Sequence, residues 1–378
     1  MMSSLFSSTI KTANSSSLAL APYRPCSLSS HFLQPTSRNF VFLKKSCFPG
    51  NSICTQKRSL SISSASMSEY ESGPSSQGTD SFLRNVLANM ERVYLDRNPT
   101  AKAILELVHS ADGGQIAYDH FAFRTFGVGG HGIDSLASFF KDYGYTQREE
   151  LRFPVKKIKA LWFSPPSTPL DLAGGGVNGP LPRVFISELL VDELSPEAQE
   201  IIKKYINVSG RGYRHAALAS SVGSLTWEKP LYSEFQQLAR ESEYAAWTLV
   251  NGFALNHVTI STHQLKSHLR SINGLNQFVE EKGFKLNSEG GVLKVSPDGL
   301  LLQSSTVADS ISFKFSDGTT ESVPCSYIEF AERLVLPQYK DLPAEEIKEF
   351  HRRDGFEVGN ADKIFESTYK EQLTRRAA

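Results

Sequence analysis

The sequence predicts an α+β fold built on a duplicated βαβββ unit, with helical insertions and a helical C-terminal segment. Two stretches repeat one order of features. Asp119-His120-Phe121-Ala122-Phe123-Arg124-Thr125 leads into a helical segment ending Asp142-Tyr143-Gly144-Tyr145. Asn256-His257-Val258-Thr259-Ile260-Ser261-Thr262 leads into one ending Lys282-Gly283-Phe284. The His stands 25 residues before the closing aromatic in the first copy and 27 in the second, so the copies agree in length as well as in order. Each then runs into further strand candidates, which completes the βαβββ pattern.

The elements follow in chain order. Residues 1–68 hold seven basic residues, no acidic one and 19 serines, the composition of an organelle transit peptide. Ser, Thr and Asn interrupt every apolar stretch there, which disfavours a secretory signal, and the high Ser with scattered Arg favours plastid over mitochondrion. The expected organisation is a transit peptide over 1–66, a flexible linker over 67–80 and one domain over 81–378. From Ser81 to Ser110 apolar residues recur at helical spacing, broken at Asn98-Pro99, which predicts a helical pair. The first module then spans about 118–191, with a helix over Ile133 to Asp142 and strands at Ala160 to Phe163 and Arg183 to Val191. A helical insert covers 195–249, with helices expected over Ser195 to Asn207 and Leu231 to Leu249. The second module spans about 255–334, with strands at Val292 to Val295, Leu300 to Ser304, Ile311 to Phe315 and Ser326 to Leu334. After Leu336 the pattern turns helical again over Ala344 to Arg353. The stretch Asp354 to Asp362 reads as a turn, with an anion-binding loop as the rarer alternative.

Composition excludes several functions. The 378 residues carry 40 basic and 40 acidic side chains, so the chain has no general attraction to nucleic acid. No apolar run approaches the roughly 20 residues of a membrane helix. Of four cysteines, Cys26, Cys47 and Cys54 fall in the segment to be removed. Cys325 alone remains, which rules out an internal disulfide and a Cys-based zinc site in the mature chain. Oligomeric state is not legible.

Strand alternation singles out candidate metal ligands. His120 shares a face with Ala122 and Arg124, opposite Phe121 and Phe123. His257 lies with Thr259 and Ser261, opposite Val258 and Ile260. Glu329 lies with Tyr327 and Arg333, opposite Ile328, Phe330 and Glu332. If helices cover the apolar faces, His120, His257 and Glu329 point into one concave interior. Two His and one carboxylate with open positions is the ligand set of non-haem Fe(II) oxygenases. Two rivals stay open at this point. His215, at a possible strand start, competes with His257, and Glu332, on the more apolar face, competes with Glu329. Arg124 lies about 13 Å along the strand from His120 at ~3.3 Å per residue, and its side chain can reach back toward the metal. An inward Arg needs an anion, either a substrate carboxylate or an internal Asp or Glu.

The segments Tyr118 to Thr125, Leu255 to Thr259 and Ser326 to Arg333, with the ending Asn360-Ala361-Asp362-Lys363-Ile364-Phe365-Glu366-Ser367-Thr368, together resemble the 2-oxoadipate dioxygenase/decarboxylase family, also called 2-hydroxyglutarate synthase. The resemblance covers about residues 80–372. It implies a half-barrel related to the vicinal oxygen chelate superfamily. It also implies Fe(II) held by His120, His257 and Glu329, and a substrate carboxylate held by Arg124. The implied reaction turns 2-oxoadipate and O2 into 2-hydroxyglutarate and CO2, within lysine catabolism in the plastid, with no protein nucleophile. The alternatives are another metal-dependent enzyme on this scaffold (a lyase, isomerase or ring-cleaving dioxygenase) and a non-enzymatic plastid scaffold protein.

Overall fold

A computed structural model of the chain describes residues 76–167 and 174–374. The transit peptide expected over 1–66 lies outside the described residues. Helices α1 (Ser76–Arg97) and α2 (Pro99–Asp112) form the expected pair. Asn98 separates them: its side chain accepts a hydrogen bond from the Ala101 N–H, and Pro99 opens α2 where a missing N–H costs nothing. Helix α1 starts within the stretch expected to be linker. An Asp80–Arg84 pair at 2.9 Å and two bonds from Arg84 to Val177 O and Gly179 O hold its first turns in place.

The first module comprises β1 (Tyr118–Phe126), α3 (Ile133–Asp142), β2 (Thr146–Phe153), β3 (Ile158–Ser164) and β4 (Arg183–Leu189). The insert contains α4 (Pro196–Ser209), α5 (Ala216–Val222), α6 (Tyr232–Glu241) and α7 (Glu243–Asn251). The helix expected over Leu231 to Leu249 is thus two. Ser242 takes extended backbone between them, and its side chain caps α7 by accepting from the Ala245 N–H. The second module comprises β5 (Leu255–Ser261), α8 (Ile272–Glu281), β6 (Lys294–Val295), β7 (Leu301–Ser305) and β10 (Tyr327–Arg333), with a hairpin of β8 (Ser310–Lys314) and β9 (Thr320–Pro324) inserted before the last strand.

Eight strands form one sheet in the order β2-β3-β4-β1-β5-β10-β7-β6. The two halves have one topology. In each, the first and last strands pair in parallel and the remaining neighbours are antiparallel, and β1 meets β5 antiparallel at the seam. This is the duplicated βαβββ arrangement expected from the sequence. Two strands, β2 and β9, escaped the sequence reading. Strand β2 is an edge strand with an exposed, charged pattern, so it lacks the apolar alternation by which strands are recognised. The Ile311 to Phe315 strand does not join the main sheet. It pairs with β9, and Phe315 and Val323 pack with Val250 of α7 in a small separate core.

The main core lies on one face of the sheet. Phe121, Phe123, Val258, Ile260, Ile328 and Phe330 pack there with Leu136 and Phe140 of α3 and Leu275 and Val279 of α8. Full burial of each such side chain is worth about 1.5–3 kcal/mol, and a one-residue slip would turn all six strand residues outward. Register is therefore strongly fixed, and with it the direction of the residues on the other face.

That other face is covered by the C-terminal segment. The helix expected over Ala344 to Arg353 is instead two single 3-10 turns, Ala344–Glu346 and Glu349–His351. Backbone bonds from Leu336 N to His351 O and from Arg353 N to Leu334 O draw this stretch out along the end of β10. Helix α9 (Val358–Ile364) follows, then a 3-10 turn, Phe365–Thr368, and α10 (Lys370–Thr374).

Candidate metal centre

Strand β5 lies between β1 and β10, and its register assembles the centre. Thr259 pairs with His120 on one side and Glu329 on the other. One same-face step away, His257 pairs with Ala122 and Tyr327. Neighbouring strands lie about 4.8 Å apart, so these three side chains converge. His257 Nε2 stands 3.1 Å from Glu329 Oε2, and His120 Nε2 stands 3.8 Å from it. The two Nε2 atoms are 3.2 Å apart. All three residues are buried, Glu329 at 1% exposure.

The residue before each histidine sets its tautomer. Asp119 Oδ1 accepts from His120 Nδ1–H at 2.8 Å, and Asn256 Oδ1 accepts from His257 Nδ1–H at 3.0 Å. A residue one position away normally faces the opposite side of a strand. Here the β1–β5 pairing skips Asp119 and Asn256, and each becomes the extra residue of a bulge that re-aims its side chain. Both Nε2 lone pairs are thereby left pointing inward, that of His257 at Glu329 Oε2 and that of His120 between the same oxygen and the Thr259 hydroxyl, 3.0 Å away. Three electron-pair donors converging without a proton for each pair repel one another, and a cation relieves that repulsion. The residues fit a metal ion, one ligand atom from each.

The electrostatics agree. Burial pushes His257 down to about 4, against the raising pull of Glu329, so it is neutral and able to ligate. Burial alone would raise Glu329, but His120, His257 and a donor from Gln303 hold it below its usual value. Burial likewise opposes ionisation of Asp119, yet Arg333 and then Arg183 hold its carboxyl well below the usual carboxylate range. Arg333 reaches both Asp119 oxygens, at 2.6 and 2.9 Å, and its other nitrogen donates to Arg353 O and Gly355 O.

Arg124 is 1% exposed and has no carboxylate partner among the described residues. Its guanidinium donates to Thr368 Oγ1 and Phe365 O, both at 3.0 Å, and Nε has no partner. It lies 5.0 Å from the ring centres of Tyr244 and Trp247. Among the described residues no Asp or Glu contacts it directly, and Glu243 feels its charge only at a distance.

The rival ligands go elsewhere. His215 is exposed on the 3-10 turn Gly212–His215. Glu332 faces the helical side, where it accepts from the Ile272 N–H at 2.8 Å and caps α8. Sequence reasoning missed Gln303, whose Nε2 donates to Glu329 Oε1 at 2.7 Å, and Asn360, Arg333 and Phe356. The signal for Asp119 and Asn256 was visible as the repeated Asx-His pair. Asp354 to Asp362 is not a bare turn, since α9 begins at Val358.

A cavity of about 20 Å3 adjoins the triad and is walled by Phe185, Phe356, Ile364 and Phe365. A larger cavity, about 570 Å3, borders Trp247 and Thr368 but touches none of the three ligands, so its size says nothing about the chemistry.

The family model described as 2-oxoadipate dioxygenase/decarboxylase matches residues 86–347. The chain belongs to that family. It is 65% identical over 363 residues to the 2-oxoadipate dioxygenase/decarboxylase, chloroplastic/amyloplastic, of Oryza sativa subsp. japonica, covering 95% of this chain and 98% of the rice protein. It is 68% identical over 328 residues to the chloroplastic family member of Arabidopsis thaliana, covering 85% and 88%. The crystal structure of hydroxyglutarate synthase from Oryza sativa in complex with 2-oxoadipate is 70% identical, with a TM-score of 0.78, covering 83% of this chain and all of that one. Among the described residues of this family member, no helix is long and apolar enough to cross a membrane.

Proposed function

We propose that this chain is an Fe(II)-dependent dioxygenase that converts 2-oxoadipate and O2 to 2-hydroxyglutarate and CO2. The observation that carries the reading is a buried His/His/Glu donor set on the same sheet face as a buried arginine that no carboxylate contacts directly among the described residues. Fe(II) would be held by His120, His257 and Glu329, and it would supply a Lewis acid for the 2-oxo group and the electrons that activate O2. The protein's own residues do the rest. Asp119 and Asn256 hold the imidazoles with Nε2 forward. Arg124 exchanges its neutral acceptors, Phe365 O and Thr368 Oγ1, for the far carboxylate of the substrate, a stronger charge-assisted contact. Phe185, Phe356, Ile364 and Phe365 exclude water around the reacting end. No side chain acts as a nucleophile.

The rice relative's name and its bound 2-oxoadipate support the substrate. The chloroplastic names of both relatives support a plastid location, with residues 1–66 as the targeting segment, a linker that ends where α1 begins at Ser76, and the working domain from there on, its role being in lysine catabolism on this reading. The test is anaerobic loading with Fe(II), then O2 uptake and CO2 release on a panel of 2-oxo acids. With 18O2, both labelled atoms should appear in 2-hydroxyglutarate. Metal-independent turnover, or no O2 uptake with 2-oxoadipate, sinks the proposal.

A further inference from the structure

Glu329 has two oxygens, and the structure treats them differently. Oε2 faces both imidazoles. Oε1 accepts from Gln303 Nε2 at 2.7 Å. An ionised carboxylate only accepts, so the Gln303 amide must turn its NH2 to Glu329 and its carbonyl away. That carbonyl accepts from Asn360 Nδ2 at 3.0 Å, and the same NH2 group lies 3.3 Å from Leu301 O. Gln303 and Asn360 are 2% and 3% exposed. Gln303 stands on β7, next to β10, whereas Asn360 belongs to α9, which helps to roof the cavity.

We propose that Asn360 and Gln303 form a positioning relay that leaves Glu329 a single oxygen for the metal. The inference rests on the metal-site reading given above. With Oε1 engaged by Gln303, Glu329 cannot chelate through both oxygens, and one more coordination position stays free for the 2-oxo acid and O2. Asn360 acts at a distance. It touches neither Glu329 nor the cavity's reacting end, but it decides which end of the Gln303 amide faces Glu329. The C-terminal segment is therefore part of the ligand geometry as well as a cover.

The test uses Co(II) in place of Fe(II) on the full mature chain, without substrate, with visible absorption reporting coordination number. Gln303→Met removes the donor at nearly constant volume. Asn360→Asp is isosteric but cannot donate, so the Gln303 amide turns over and presents its carbonyl to Glu329. Both variants should show weaker Co(II) bands, as expected for a higher coordination number, and the double variant should show no more than Gln303→Met alone. With Fe(II), kcat on 2-oxoadipate should fall about 10- to 100-fold in each, with KM little changed. An unchanged Co(II) spectrum in either single variant overturns the relay. A wild-type chain that binds no Co(II) overturns the metal-site reading, and the relay with it.

Discussion

On the sheet face that looks into the cavity, the last strand of the first module carries Phe185 and the last strand of the second carries Glu329. Both stand three residues before a glutamate with one shared task. Glu188 accepts from the Ile133 N–H at 2.8 Å and caps α3, as Glu332 caps α8. The registers agree, since Ala122 pairs with Phe185 where Thr259 pairs with Glu329. Two further positions share their role: Asp119 and Asn256 both sit in bulges and orient the following histidine. Two others differ, with Arg124 matched by Ser261 and Arg183 by Tyr327. The histidines and the residues before them are common to both modules, whereas Glu329 and Arg124 have no counterpart in the other module and complete the proposed chemistry. The first module contributes one ligand and the arginine, and the second contributes two ligands.

The largest effects should fall on the two equivalent histidines and on Glu329, which has no equivalent in the first module. His120→Ala, His257→Ala and Glu329→Ala should each lose the metal and all turnover while remaining folded, by metal analysis and circular dichroism. Phe185→Leu, at the position equivalent to Glu329, should keep its metal, and so should Glu332→Ala. Metal lost from Glu332→Ala but retained in Glu329→Ala would reverse the assignment of that strand's faces.

Next in size is Arg124→Ala. A buried distal carboxylate left without its partner costs about 2–5 kcal/mol. That corresponds to roughly 30- to 4,000-fold in kcat/KM for 2-oxoadipate. A 2-oxo acid of equal length with an apolar end should lose little, and Arg124→Lys should recover only part, because an ammonium makes no two-pronged contact. Ser261→Ala, at the equivalent position, should leave both substrates nearly unaffected. Equal losses on the two substrates would instead make Arg124 a support for the fold.

The two orienting residues should differ in stability. Asp119→Asn strands Arg333 in the interior, while Arg183 keeps Asp354 and Glu349, and should cost about 3–5 kcal/mol. Asn256→Ala removes one neutral hydrogen bond and should cost about 1 kcal/mol. Urea unfolding of the metal-free proteins measures both, and similar costs would contradict the charged-versus-neutral distinction.

The last effect is on pH dependence. His257 sits at about 4 in the folded chain, whereas an unfolded imidazole titrates near 6.5. Between these values the unfolded state binds more protons, so stability rises with pH across the window and is lost as pH falls from about 6.5 to about 4. In the metal-free protein, His257→Gln should flatten that slope. An identical slope in the variant would place the titrating group elsewhere.

Facing was the property most legible in the sequence. The alternation around His120, His257 and Glu329 depends only on local periodicity and on which face holds the large apolar side chains, and both are written in short segments. The Asx-His pairs were visible, but their role was not, because a bulge cannot be read from one strand alone. Gln303 and Asn360 left no local trace. Each matters through a partner far away in sequence, and an amide inside a strand or a short helix looks like any other polar residue. The same holds for Ala344 to Arg353, where tertiary bonds to Leu334 and Leu336 overrode a helical pattern. Strand β2 was hidden because an edge strand with a wet face needs no apolar alternation.

The seam between β1 and β5 has a consequence beyond catalysis. His120 belongs to one half of the sheet, and His257 and Glu329 belong to the other, so an ion held by all three bridges the halves. Anything that binds the folded chain and not the unfolded one adds RT ln(1 + [L]/Kd) to stability, about 2.7 kcal/mol at a hundred times Kd. The ion is thus a fastener as well as a reagent. On the proposed reading, a chain that lacks its ion should unfold more often and be cleared sooner, so that its cellular lifetime would follow metal supply.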